Sequence, residues 1–253
     1  MTNETMPIEE YLAQGGRLTS PSNVPPRYRG EVLRLMASFV DSEMAGSAGF
    51  ADVINDAPGI TSRIAAARIV LEKADHAERV LRIMAEFGAD VSRYVGTHPW
   101  AARQPREADI GAARQGGDMR LAVFHYPLAG WVDAVVMNVL QGAAAVIQLR
   151  EFAQVSYQPL AECFRAILPR EARHAELGRA GLLTLAHSAP DQVRASLEYW
   201  RPRVALGFGA RDSERFERLA KLGLRHRSNA DMLAEWEATI ARQLVECGVT
   251  VNA

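Results

Sequence analysis

Glu171-Ala172-Arg173-His174 sets a carboxylate and an imidazole three residues apart. On a helix that spacing projects both side chains from one face, so a single metal ion can be reached by both. In helical bundles that hold two metal ions, two helices each give one inward glutamate and two others each give a Glu-x-x-His pair. A lone copy also arises by chance on a solvated helix face. His125 and Tyr126 admit two readings, as the wall of a substrate pocket or as the entrance to a helix. His98, His187 and His226 lie near loops or helix ends and read as surface residues. Cys163 and Cys247, the only two cysteines, lack metal-ligand spacing and read as small apolar residues of a reducing cytoplasm.

The elements that must position such groups are helices. Val32, Leu33, Leu35, Met36, Phe39 and Val40 recur at three-and-four spacing from Tyr28 onward. Ala57-Pro58-Gly59 then punctuates the chain, and a second periodic stretch runs from about Ile60 to Phe87, with Gly88 as its stop signal. Residues 89–123, broken by Gly96, Pro99, Pro105, Gly111, Gly116 and Gly117, read as a crossover between two helical hairpins. A third helix is predicted from near Pro127 to Ala153. A fourth runs from about Pro159 to His187, with Pro169 bending it or breaking one hydrogen bond. Three more are predicted over 191–208, 212–226 and 230–247. Residues 1–26, with Gly15, Gly16, Pro21, Pro25 and Pro26, lack helical periodicity and read as an N-terminal arm, leaving 27–253 as one domain. No strand alternation is present, so the fold class is all-α.

Composition narrows the function classes. With 29 basic and 30 acidic residues the charge nearly cancels, which removes the electrostatic case for a nucleic acid or a membrane surface as partner. No run is expected to reach the 18 or so apolar residues of a membrane span, and the acidic start does not read as a secretory signal.

Across residues 28–88, Tyr28-Arg29, Ser42-Glu43, Ala57-Pro58, His76 and Ala85-Glu86-Phe87-Gly88 resemble the first hairpin of the phenylacetyl-CoA ring-epoxidase family, within the ferritin-like superfamily. Phe124-His125-Tyr126-Pro127, Trp131, Ser156-Tyr157 and Glu171-Ala172-Arg173-His174 resemble its second hairpin. Tyr199-Trp200-Arg201-Pro202 and the tail Gly248-Val249-Thr250-Val251 are similar to its later segments. The order and spacing of these pieces carry the resemblance over nearly all of the chain beyond the arm.

That resemblance implies a ferritin-like four-helix bundle with additional C-terminal helices and a six-ligand dimetal centre. Glu43, His76, Glu171 and His174 stand at four of the ligand positions. The glutamate expected three residues before His76 is Lys73, and the acidic position on helix three is Gly142, or Gln141 with a one-residue slip. Glu72 is next to the lost position, but one residue rotates a side chain by about 100°, so it is not expected to reach equivalently. Asp133 and Glu151 are more than two turns away. The expected central polar cluster is thus Glu43, Lys73, His76, Glu171 and His174. Lys73 is expected to bridge Glu43 or Glu171 where a metal would sit, because a buried centre must be close to neutral. No cofactor is then expected. The alternative is one iron or other divalent ion on Glu43, His76, Glu171 and His174.

In this family an iron-bearing subunit pairs with a similar, metal-poor helical subunit. The implied function is a non-catalytic or redirected binding protein, and the alternative is a monooxygenase acting on an aromatic or acyl-CoA substrate. Implied partners are a second copy of the chain or a related helical subunit, together with an acyl-CoA or aromatic small molecule. Arg201, Arg203, Arg211, Arg215 and Arg218 either meet an acyl-CoA phosphate or form a solvated face. Trp200, with Tyr199 and Phe208, reads as core packing.

Overall fold

A computed structural model describes residues 6–94, 96, 99–114, 117–211 and 214–249. Among these the chain is helical, with no strand and one isolated bridge between Leu18 and Tyr157. The helices are α1 (Ile8–Ala13), α2 (Pro26–Val53), α3 (Ile60–Glu86), α4 (Trp131–Phe152), α5 (Gln158–Ser188), α6 (Pro190–Ala205), α7 (Glu214–Lys221) and α8 (Asn229–Glu246). α2 packs on α3 and α4 on α5, which gives two hairpins. They meet where α3 lies against α5 and α2 touches α4, while α6 and α8 cover the outer side of α4. The chain is therefore all-α and consistent with a ferritin-like bundle carrying added C-terminal helices.

Local chemistry sets the boundaries. Pro26 starts α2 at a position where its missing N–H costs nothing. Gly88, at φ 75°, takes the left-handed turn that ends α3. The third helix starts at Trp131 and not near Pro127, because Gly130 at φ 87° leaves the helical region just before it. α5 runs unbroken through Pro169, and α6 likewise contains Pro202. Of the stretch predicted over 212–226, residues 212 and 213 lie outside the described residues; the helix seen is α7, which stops before Gly223 at φ 62° turns the chain between buried Leu222 and Leu224. Ahead of α2, α1 was not foreseen, and Leu18 is buried against the start of α5, its carbonyl accepting from the Gln158 N–H.

α4 corrects the membrane expectation: by length and composition it is apolar enough to cross a bilayer. Its apolar surface is instead mostly buried, against α5, α6 and α8. The crossover between hairpins has short 3-10 turns at Ser92–Tyr94, Pro99–Ala101 and Ala122–His125. Arginines hold it together. Buried Arg120 pairs with Asp118 and donates to the carbonyls of Pro99, Trp100 and Ala102, while Arg103 donates to the Ala45 carbonyl of α2 at 3.1 Å.

Candidate functional site

Two pairs of residues at i and i+3 build the centre: Lys73 with His76 on α3, and Glu171 with His174 on α5. Each pair projects from one helix face toward α2, where Glu43 is buried. The Lys73 ammonium donates to Glu43 Oε1 at 3.0 Å and to Glu171 Oε1 and Oε2 at 3.0 and 3.2 Å. His76 Nδ1 stands 3.0 Å from Glu43 Oε2 and 3.2 Å from Glu171 Oε1. His174 Nδ1 stands 3.0 Å from Glu171 Oε1. Five side chains from three helices thus form one continuous polar cluster inside the bundle, with Lys73 between the two carboxylates.

Its charges are mutually dependent. Burial by itself would lower the Lys73 amine, but Glu171 and Glu43 outweigh it and hold the amine above its ordinary value. Burial likewise disfavours charged His76, yet hydrogen bonds to Glu171 and Glu43 raise its pKa. Burial would raise the Glu171 carboxyl; Lys73, then His174 and His76, hold it well below the usual carboxylate range. The ammonium shared by the two carboxylates, and a His76 whose protonated form they favour, offset much of the buried negative charge.

Glu72 enters the network by a route that helix rotation alone did not suggest. It is not among the groups around Glu43, but its Oε2 lies 2.9 Å from His174 Nε2, on the outer side of that ring. The Glu-x-x-His spacing gave no signal for it, because the contact runs between α3 and α5. Asn138 of α4 was missed too: its Nδ2 donates to the His174 carbonyl at 2.8 Å and fixes α4 against the α5 turn that carries the histidine.

The residues fit a pair of metal ions poorly. On α4 the position expected to be acidic is Gly142, or Gln141 with a one-residue slip; at Gly142 a Cβ would stand 3.2 Å from Ala175 Cα, so a side chain there requires α4 or α5 to give by a few tenths of an ångström. Asp133 is used by Arg106 and Ser196, and Glu151 accepts from the His226 and Arg227 N–H groups. Ligand atoms of Glu43, His76 and Glu171 do lie within 4.8 Å of one another, a donor set sized for one ion. Lys73 competes for the same two carboxylates. His76 Nε2 is buried without a hydrogen-bond partner among the described residues.

A cavity of about 410 Å³ opens beside this cluster. Glu43, Lys73 and Glu171 line it, together with Gln141 and Gly142 of α4 and an apolar wall that includes Phe39, Phe124, Met137, Phe152 and Trp200. Tyr126 lines the cavity, whereas His125 sits buried in the 3-10 turn before α4. Trp200 is fully buried, edge-on to Tyr199. His187 and His226 are exposed, and His98 lies outside the described residues. Cys247 is buried and Cys163 half-buried, and burial pushes the Cys163 thiol up to about 11, which keeps it protonated. Of the five arginines singled out from the sequence, Arg215 lines the cavity. Arg203 lies instead on the rings of Tyr199 and Tyr126, and Arg211 and Arg218 are exposed.

Compared with known proteins, the chain matches the phenylacetic acid catabolic proteins as a family over residues 11–253, which takes in both hairpins, the polar cluster and the C-terminal helices. The chain belongs to this family. One relative is a component of the 1,2-phenylacetyl-CoA epoxidase of Escherichia coli (strain K12), 24% identical over 217 residues, covering 84% of this chain. The match spans 64% of that relative's length. Within the phenylacetic acid catabolic family, then, this chain presents a bundle interior in which a lysine ammonium is held by two of the buried acids.

Proposed function

We propose that this member of the phenylacetic acid catabolic family has been redirected from oxygen chemistry to binding, with a degraded dimetal centre and no resident metal. The observation that carries the reading is the position of the Lys73 ammonium, 3.0 Å from both Glu43 and Glu171. An ammonium there supplies the positive charge that a divalent ion would otherwise give the two carboxylates. The salt-bridged interior positions the bundle, and the cavity beside it accepts an aromatic or acyl group, including one carried as a coenzyme A thioester. Since the bacterial relative is one subunit of an epoxidase, the partner we expect is a related helical subunit or a second copy of this chain. The same reading places the protein in the cytoplasm, with 1–26 as an arm on a single domain of 27–253.

A second reading is a monooxygenase with one metal ion. It is favoured by the Glu43, His76 and Glu171 donors lying within 4.8 Å, with His174 adjacent. In that case the ion would supply the oxygen-activating chemistry, and the residues of this chain would hold it and shield the cavity from water.

Oxygen uptake separates the two. Purified protein is mixed with a reductase, NADH and aromatic or acyl thioesters, and binding of the same thioesters is followed by calorimetry. The first reading expects thioester binding with no uptake above the reductase background. Thioester-dependent uptake would overturn it in favour of the second.

A further inference from the structure

The cavity runs along α2, and its Arg34 and Glu43 levels differ in charge, while Arg103, which donates to the Ala45 carbonyl, lines it near Gly49. One face of α2 lines it from Glu31 to Phe50. The level of Arg34 and the level of Glu43 are nine residues apart, roughly 13 Å along the helix. At the Glu43 level the Lys73 cation is already shared between two carboxylates. At the Arg34 level, Arg34, Arg114, Arg215 and Arg225 all line the cavity. Arg215 pairs with Glu31 at 2.7 Å, but its Nε is buried without a partner. Among the described residues, Arg114 and Arg225 have no carboxylate partner. Arg114 donates to Ser38 Oγ and the Met119 carbonyl, and Arg225 to Asn229 Oδ1 and Met232 Sδ.

These cations also repel one another. Burial first, then Arg215 and Arg34, lower the Arg114 pKa, with Asp41 and Asp118 opposing; burial lowers Arg225, with Arg215 adding to it while Glu151 opposes. Arg215 has its ion pair with Glu31, while Asp41, Asp118 and Glu151 are already engaged by Arg93, Arg120 and the His226 and Arg227 N–H groups. Half-buried guanidinium groups that lack an ion pair of their own are stabilised by an anion that accepts their hydrogen bonds. Between this end and the lysine cluster the wall is apolar, with Leu35, Phe39, Phe152 and Leu219.

We propose that the Arg114–Arg215–Arg225 end of the cavity is a binding site for the anionic head, carboxylate or phosphate, of an amphipathic molecule whose apolar body runs toward Lys73. This rests on the reading of the cavity as a binding site and adds which end takes charge and which residues hold it. A neutral molecule of the same length leaves the arginines uncompensated and binds less tightly.

The test is calorimetric titration of the full chain with decanoate, decyl phosphate, decanoyl-coenzyme A and decanol. The anions should bind at least about tenfold more tightly than decanol, the size of effect that one charge-assisted hydrogen bond gives. The tighter of decanoate and decyl phosphate, set against the thioester, identifies whether a free acid or a phosphate is the source of charge. An Arg114→Gln, Arg215→Gln double variant should lose that preference while binding decanol within about twofold of wild type. If the double variant does not fold, salt titration of the wild type replaces it: added salt should weaken anion binding and leave decanol unchanged. Decanol bound as tightly as the anions, or an unchanged preference in the variant, overturns the anion site and leaves the binding cavity standing. Failure of every probe to bind overturns both.

Discussion

Gly46 lies where the stem of Lys73 crosses α2: a Cβ at position 46 would stand 3.3 Å from Lys73 Cδ and 3.3 Å from Phe124 Cε1. Glycine in the middle of a long helix is ordinarily unfavourable by about 1 kcal/mol relative to alanine. Here the bare backbone gives the lysine a path to the two carboxylates. Gly46 and Lys73 therefore belong together as one structural unit.

That pairing makes a double-mutant cycle informative. Gly46→Ala should fail to give the usual helix gain of about 1 kcal/mol in wild type, because the lysine stem must shift. In a Lys73→Ala background part of the gain should return, the Phe124 ring remaining close. Chemical denaturation of the four proteins measures this, and a fully additive cycle would show that glycine makes no room for the lysine.

Removing the ammonium is expected to be costly. Lys73→Met leaves Glu43 and Glu171 buried without their shared cation, and breaking such a pair from one side destabilises by about 3–5 kcal/mol. Urea unfolding reads the change directly. A loss below about 1 kcal/mol would mean that the cluster is hydrated or that another cation neutralises it.

Stability should depend on pH on both sides of a window. Glu171 is held well below its ordinary value of 4.5, so its contribution is complete above that pH and is lost as pH falls through the depressed folded value. His76 is raised above 6.5, so its contribution is complete below 6.5 and is lost as pH rises through the elevated folded value. These two groups together favour the interval between those reference values. Thermal unfolding across pH should show the alkaline decline, and His76→Gln should flatten it. An equal alkaline slope in wild type and variant would place the titrating group elsewhere.

Much of this was legible in the chain itself. The three-and-four periodicity of Val32 to Val40, and the stop at Gly88, located the first hairpin, although its first helix starts at Pro26 and ends at Val53, ahead of the Ala57-Pro58-Gly59 break. Periodicity says nothing about the connector, where Arg103 and Arg120 bind backbone carbonyls far away in sequence. The i, i+3 spacings of Lys73 with His76 and Glu171 with His174 foretold shared helix faces. They did not show that one ammonium would touch both acids, since that depends on how α2, α3 and α5 approach. Glu72 was set aside by rotation around its own helix and yet meets His174, because the partner histidine comes from the neighbouring helix. The arginine end of the cavity was partly visible through Arg215. Arg34, Arg114 and Arg225 lie on three separate segments that only the folded chain assembles.

An acid introduced on α4 should be resisted by packing. Gly142→Asp puts a Cβ 3.2 Å from Ala175 Cα and Cβ, where α4 and α5 touch. Overpacking of this kind costs about 1–3 kcal/mol, so the variant should melt earlier than wild type. An unchanged melting temperature would show that the two helices separate freely at this level.

The occupancy of the buried acids is decided by metal content. Protein produced in iron-rich medium and purified without chelator is measured for iron, manganese and zinc per chain, alongside Lys73→Glu. Wild type should carry well under one equivalent of any of them, and Lys73→Glu should carry more. Close to two metal ions per wild-type chain would contradict the claim that Lys73 occupies the place of a cation.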